Sequence, residues 1–84
     1  MVGFDPSKEE INRSKHGVSL ERWIDLDIKV TFVDDRYDYG EIRYRAYGYI
    51  DGVAHCLVFT NRNGQVRPIS LRRAHAKEMR RHVT

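Results

Sequence analysis

EIRYRAYGYIDGVAHCLVFTNRNGQVRPISL, residues 41–71, is the stretch that decides the fold. Ile42, Tyr44, Ala46, Gly48 and Ile50 recur at every second position and so share one face of an extended strand; Arg43, Tyr47 and Tyr49 take the other. Asp51-Gly52 tolerates the positive φ angles of a two-residue hairpin and leads into the run at 53–60. Asn63-Gly64 does the same ahead of 65–71. A meander of antiparallel strands follows. Pro68 has no amide hydrogen for a ladder, which predicts that the last strand lies at an edge or carries a bulge there.

Upstream, the period of two begins near Lys29, with Val30 and Phe32 alternating against polar neighbours, so the sheet has four strands. Before that point Leu20, Trp23, Ile24 and Ile28 follow a helical spacing behind Ser19, a capping residue, and predict a helix that covers the sheet with Trp23 in the core. Asp5, Pro6 and Gly17 bracket an earlier helix over about 6–16. Downstream, Ser70 can cap a basic helix over 72–82, anchored by Leu71, Ala74, Met79 and Val83. The expectation is one α+β domain over 1–84: two N-terminal helices, a four-stranded antiparallel meander and a C-terminal basic helix.

At 84 residues the chain is too short for two cores. Folding reduces its accessible area from about 14,000 to about 5,000 Å², a marginal core that a partner would support. Cys56 is the one cysteine, so no disulfide within the chain and no cysteine-based zinc site is expected, and a reducing compartment is the natural reading. No apolar stretch is long enough for export or anchoring, which predicts a cytoplasmic protein without a membrane. The net charge of +3 hides an asymmetry: residues 1–60 hold eight Lys/Arg against eleven Asp/Glu, residues 61–84 seven against one. Such a basic end attracts polyanions, nucleic acid first among them, although a solvated helix face would look the same.

FDPSK at 4–8, Asn12 and KHGVSLE at 15–21 resemble the opening signature of the BrnT toxin family. Glu41-Ile42-Arg43, Gly48, Thr60, Arg67, Ile69, Ser70, Arg72, Arg73, Ala74, Glu78 and Arg81 resemble the rest of its pattern, with departures at Pro68 and over 23–35. The resemblance implies a RelE-like fold, a cytoplasmic endoribonuclease that needs no cofactor or metal, and a type II toxin-antitoxin pair. It further implies neutralisation by a BrnA-like ribbon-helix-helix antitoxin, in a heterotetramer of two toxins and two antitoxins that reads operator DNA only through the antitoxin. Two other readings of the same residues are a nucleic-acid-binding module without catalysis and a corepressor that acts only inside the antitoxin complex.

RNA is cut without metal when its 2′-hydroxyl attacks the adjacent phosphorus while a base takes a proton, an acid gives one and cations hold the charge. The catalytic candidates are His16, Glu41, Arg43, Arg72 and Arg73. Those for RNA binding are Lys8, Lys15, Arg67, Arg80 and Arg81, with Tyr47 and Tyr49 as stacking platforms. His16 and Lys15 can carry protons or simply complement a helix C-terminus; Glu41 and Arg43, on one strand face, can act on RNA or form a surface ion pair. The four histidines are dispersed, with no metal-ligand spacing, and there is no G-x-S-x-G elbow and no glycine-rich phosphate loop.

Overall fold

The computed structural model describes residues 18–36, 38 and 40–83. In chain order these form a 3-10 helix (Leu20–Asp25), strands β1 (Asp27–Val33), β2 (Arg43–Ile50), β3 (Val53–Arg62) and β4 (Gln65–Arg73), and a C-terminal helix α1 (Ala76–His82). The strands make one antiparallel sheet in the order β1-β2-β3-β4, the expected meander. Both predicted turns are present: Asp51 and Gly52 have φ of 50° and 76°, Asn63 and Gly64 of 54° and 80°, the paired positive values of a type I′ hairpin. The helix expected over 6–16 lies outside the described residues. No helix among the described residues is long and apolar enough to cross a membrane.

The second predicted helix is corrected. Only Leu20–Asp25 is helical, as a 3-10 turn behind Ser19, whose side chain accepts from the Glu21 amide at 3.3 Å. With three residues per turn, positions i, i+3 and i+6 align, so Leu20, Trp23 and Leu26 face the sheet together. Ile24, which an α-helical stripe would bury, is 65% exposed, and Trp23 is half-buried against the core. From Asp27 the chain is already β1, because Ile, Val, Thr and Phe in DIKVTFV suit a pleated surface that β2 offers as a template.

Two cores flank the sheet. Leu20, Leu26, Ala46, Ile50, Leu57 and Leu71 pack beneath the 3-10 helix, and Tyr47, Cys56 and Met79 pack beneath α1 with Val30 and Phe32 at their edge. The C-terminal helix is also shorter than expected. It begins at Ala76, while Ser70, Arg72 and Arg73 belong to β4 because Leu71 is paired with Leu57 in the ladder and fully buried there. Pro68 is buried on β4, an edge strand, beside a register shift that leaves Ile69 without an opposite number.

A second register shift, at Lys29, puts Ile28 opposite Gly48 and Val30 opposite Tyr47. Here β1 presses onto β2 so closely that a Cβ on Gly48 would stand 2.1 Å from the Asp27 carbonyl oxygen and 2.9 Å from the Ile28 Cα. Gly48→Ala therefore forces the two backbones apart; it should cost about 3 kcal/mol, at the upper end of overpacking effects, read as a lower midpoint in denaturant. A Gly64→Ala control, in open space but at a positive φ that strains any side chain, should cost less, about 1 kcal/mol.

Candidate nucleic-acid interface

Residues paired across neighbouring strands share a face, so the register sorts the side chains. On the face that carries α1, successive cross-strand rows read Arg43-Thr60-Arg67, Arg45-Val58-Ser70 and Tyr47-Cys56-Arg72. Arg67 joins this face only because of the extra residue at Ile69. Five positions from Arg72, it would otherwise point to the opposite side. Neighbouring rows are roughly 7 Å apart along a strand, and Arg43 and Arg67, separated by one strand, roughly 10 Å. The helix covers the Tyr47 row; the Arg43 row lies beyond it toward the β3–β4 hairpin, with Thr60 buried and Arg43 and Arg67 half-buried.

Glu41, just before β2, stands at that end of the face. Its carboxylate accepts from the Arg62 Nη2 at 3.0 Å and lies 3.9 Å from the Arg43 Nε, so the expected Glu41–Arg43 pair forms with a third member. Thr60 is buried between Arg43 and Arg67 and donates its hydroxyl to the Ile42 carbonyl at 2.8 Å, tying the start of β2 to β3. Arg45 lies over the Phe32 ring at 4.8 Å, and its Nε is 3.8 Å from the buried carboxylate of Asp34, which Arg36 grips through two nitrogens at 2.7 and 2.8 Å. The Arg45 Nη1 reaches the Tyr47 hydroxyl at 3.5 Å.

The covered row is organised by Glu78 on α1. Its carboxylate accepts from both terminal nitrogens of Arg72 at 2.6 and 2.9 Å, from the Tyr47 hydroxyl at 3.2 Å and from the His75 amide at 2.8 Å. The bidentate Arg72 contact, aided by the His75 amide, holds the acid down at about 2 against the cost of burial. Arg72 is correspondingly raised by Glu78. Burial first, then Cys56 and Glu78, push the Tyr47 hydroxyl up to about 12, so it stays a donor; burial likewise raises the Cys56 thiol.

The sequence candidates separate as follows. Glu41, Arg43, Arg67 and Arg72 are brought to one face, and Arg80 and Arg81 are exposed on α1 beside it. Arg73 is not with them. As the neighbour of Arg72 on a strand it points to the opposite face, paired with His55. Tyr47 is corrected as a stacking platform: it is fully buried, with His82 stacked on it at 4.9 Å and Phe32 at 6.0 Å, leaving no open ring face for a base. Tyr49 is half-buried at the edge of the same cluster. Lys8, Lys15 and His16 lie outside the described residues. Arg45 and Asp34 were missed, although the R-Y-R alternation at 43–45 already put both arginines on one face. Among the described residues no group of three or more His, Cys, Asp or Glu is placed to hold a metal ion.

Glu78 carries a pH dependence with a defined sign. Its ordinary value is near 4.5 and its folded value about 2, so the stability it contributes is complete above pH 4.5 and is lost as pH falls from 4.5 toward 2. Urea midpoints measured across this range should fall in the wild type, whereas Glu78→Gln, less stable at neutral pH, should show a shallower acid limb.

The family described as "Ribonuclease toxin, BrnT, of type II toxin-antitoxin system" matches residues 4–78. No curated protein and no solved structure matches the chain at a significant level.

Proposed function

We propose that this chain, which belongs to the BrnT family of ribonuclease toxins of type II toxin-antitoxin systems, cuts RNA on the helix-bearing face of its sheet without help from a metal ion. The observation that carries the reading is the placement of Arg43, Arg45, Arg67 and Arg72 on that one face with Glu41 beside Arg43. Guanidinium groups bind phosphate oxygens bidentately and keep their charge at any physiological pH, which suits a phosphorane that gains negative charge. Arg43 and Arg67 flank Thr60 and hold the scissile phosphate. Arg72, already neutralised by Glu78, fixes α1 in place and contributes less field.

In this reading Glu41 takes the proton of the ribose 2′-hydroxyl as that oxygen bonds to phosphorus. The bond from phosphorus to the 5′-oxygen breaks, and the leaving oxygen collects a proton from solvent or from a residue outside the described ones. A 2′,3′-cyclic phosphate and a free 5′-hydroxyl result. Arg80 and Arg81 extend the contact to flanking phosphates, and the partly covered Tyr49 offers a ring edge to a base. The family implies an antitoxin partner; we take it to be a BrnA-like ribbon-helix-helix protein, in a two-plus-two complex that meets operator DNA through the antitoxin alone.

Purified protein incubated with RNA in the presence of a chelator should degrade it. Arg43→Ala and Arg67→Ala should each slow decay by about 10²-fold, the scale for losing one donor to a developing oxyanion. Glu41→Gln should do the same while leaving RNA binding intact. RNA that survives under every condition while binding remains salt-sensitive would reduce the chain to a binding module.

A further inference from the structure

The opposite face of the sheet holds a second polar site that the proposed cleavage does not use. There the end of β2, the start of β3 and the end of β4 meet the 3-10 helix around a cleft of about 320 Å³, whose polar lining is Ser19, Arg22, Asp51, His55 and Arg73. That volume is at the lower end for small-molecule sites, room for a phosphate and an attached sugar.

His55 is only 6% exposed, and its Nδ1 stands 2.7 Å from the Val53 carbonyl oxygen. A carbonyl can only accept, so Nδ1 bears the proton, and Nε2 is left as the ring's remaining polar atom on a side chain that lines the cleft. Arg73 is its cross-strand partner, with backbones about 5 Å apart. The Arg73 side chain is exposed, and its guanidinium has no hydrogen-bond or ion-pair partner among the described residues; only its backbone carbonyl is used, by Arg72. Arg22, by contrast, has its charge matched twice: its Nη2 pairs with Asp51 at 2.8 Å and its Nε with Asp25 at 2.9 Å. The Arg22–Asp51 pair cancels across the cleft, and Arg73 supplies the residual positive charge.

We propose that this cleft is a phosphate-binding site, in which Arg73 grips two oxygens of a phosphate group and the His55 Nε2 accepts a hydrogen bond from its P–OH. This follows from the tautomer. A neutral ring with its proton on Nδ1 offers a lone pair, which matches the hydroxyl of a hydrogen phosphate or a phosphate monoester. Against the neutral ring a carboxylate, which has no such hydrogen, would set its oxygen on the Nε2 lone pair, and an internal phosphodiester lacks the hydrogen as well. The ligand class is therefore a phosphate end, free in solution or terminating a nucleotide. The site shares no residue with the RNA-cleaving face, so it stands or falls independently of that reading.

The test uses the full chain and two-dimensional spectra of the ¹⁵N-labelled histidine side chains. Inorganic phosphate, a nucleoside 3′-monophosphate, a nucleoside 5′-monophosphate, an oligodeoxyribonucleotide without terminal phosphates, which lacks the 2′-hydroxyl that cleavage needs, and acetate are each titrated at constant ionic strength. Saturable movement of the His55 Nε2 signal is expected with the first three. Tighter binding of the monophosphates would identify a nucleotide end as the source, and equal binding free phosphate. Arg73→Gln, at an exposed position, should keep the fold and weaken binding at least about tenfold, the loss of one charge-assisted pair. Lys29→Gln, exposed on β1 and outside the cleft lining, should leave it unchanged. The proposal is overturned if phosphate moves no His55 signal, if acetate or the unphosphorylated oligonucleotide moves it equally, or if Arg73→Gln binds as the wild type does.

Discussion

A strand alternates its side chains with a period of two, so one extra residue exchanges the faces of everything beyond it, and two such residues set the chemistry of this molecule. Ile69, the surplus residue in β4, turns Arg67 onto the face of Arg72, Arg45 and Arg43; with regular pairing it would stand with Arg73 instead. Lys29, the surplus residue in β1, puts Ile28 and Val30 on opposite faces, so Val30 and Phe32 can pack with Tyr47 while Asp27 and Ile28 close onto Gly48. The grouping of arginines is thus a property of the backbone ladder as much as of their positions in the chain. Pro68 bears on this directly, because a residue without an amide hydrogen is most easily housed where the ladder is already interrupted.

Helix α1 depends on the sheet in turn. Seven residues are far too few for a helix to persist by its own hydrogen bonds. It is held by Met79 in the core, by His82 against Tyr47 and Phe32, and by the four donors that converge on Glu78. The same carboxylate satisfies the first free amide of the helix and the charge of Arg72, so docking the helix and fixing the covered row are one event. This also explains why the covered row is polar at its rim and dry at its centre: Cys56 and the Tyr47 ring are sealed beneath it, and the Tyr47 hydroxyl alone reaches out to the carboxylate.

The hairpins and the strand faces were legible because their signals are local. Asp51-Gly52, Asn63-Gly64 and the alternation from Ile42 to Ile50 each act within a few residues. Two errors share one cause, a helical period assigned where the true one is shorter. LERWID carries Leu20, Trp23 and Leu26 at a spacing of three, which suits a 3-10 turn, yet Ile24 and Ile28 complete an α-helical stripe on paper. Across 70–75 the helix formers were read without the strand partner that claims Ser70 to Arg73, a contact that only the fold supplies. The Arg67–Arg72 alignment could not be read at all, since a bulge leaves no composition of its own. Glu78 had a sequence signal, the lone acid among seven basic residues after position 60, but its partners span three elements.

Charge counting along the chain therefore overstates the basic cluster. Of the seven cations after residue 60, Arg62 is paired with Glu41 and Arg72 with Glu78, while Arg73 faces away from the rest. What the helix-bearing side presents to a polyanion is Arg67, Lys77, Arg80 and Arg81, together with Arg43 in its contact with Glu41. A field of that size attracts a polyanion and is screened within about 10 Å at ordinary salt. If the proposed cleavage site is the right one, selectivity for the scissile link comes from the fixed geometry of the Arg43-Thr60-Arg67 row and not from net charge. The division of Arg72 and Arg73 between the two faces makes the same point: adjacent guanidinium groups on a strand serve different surfaces, and only the ladder decides which.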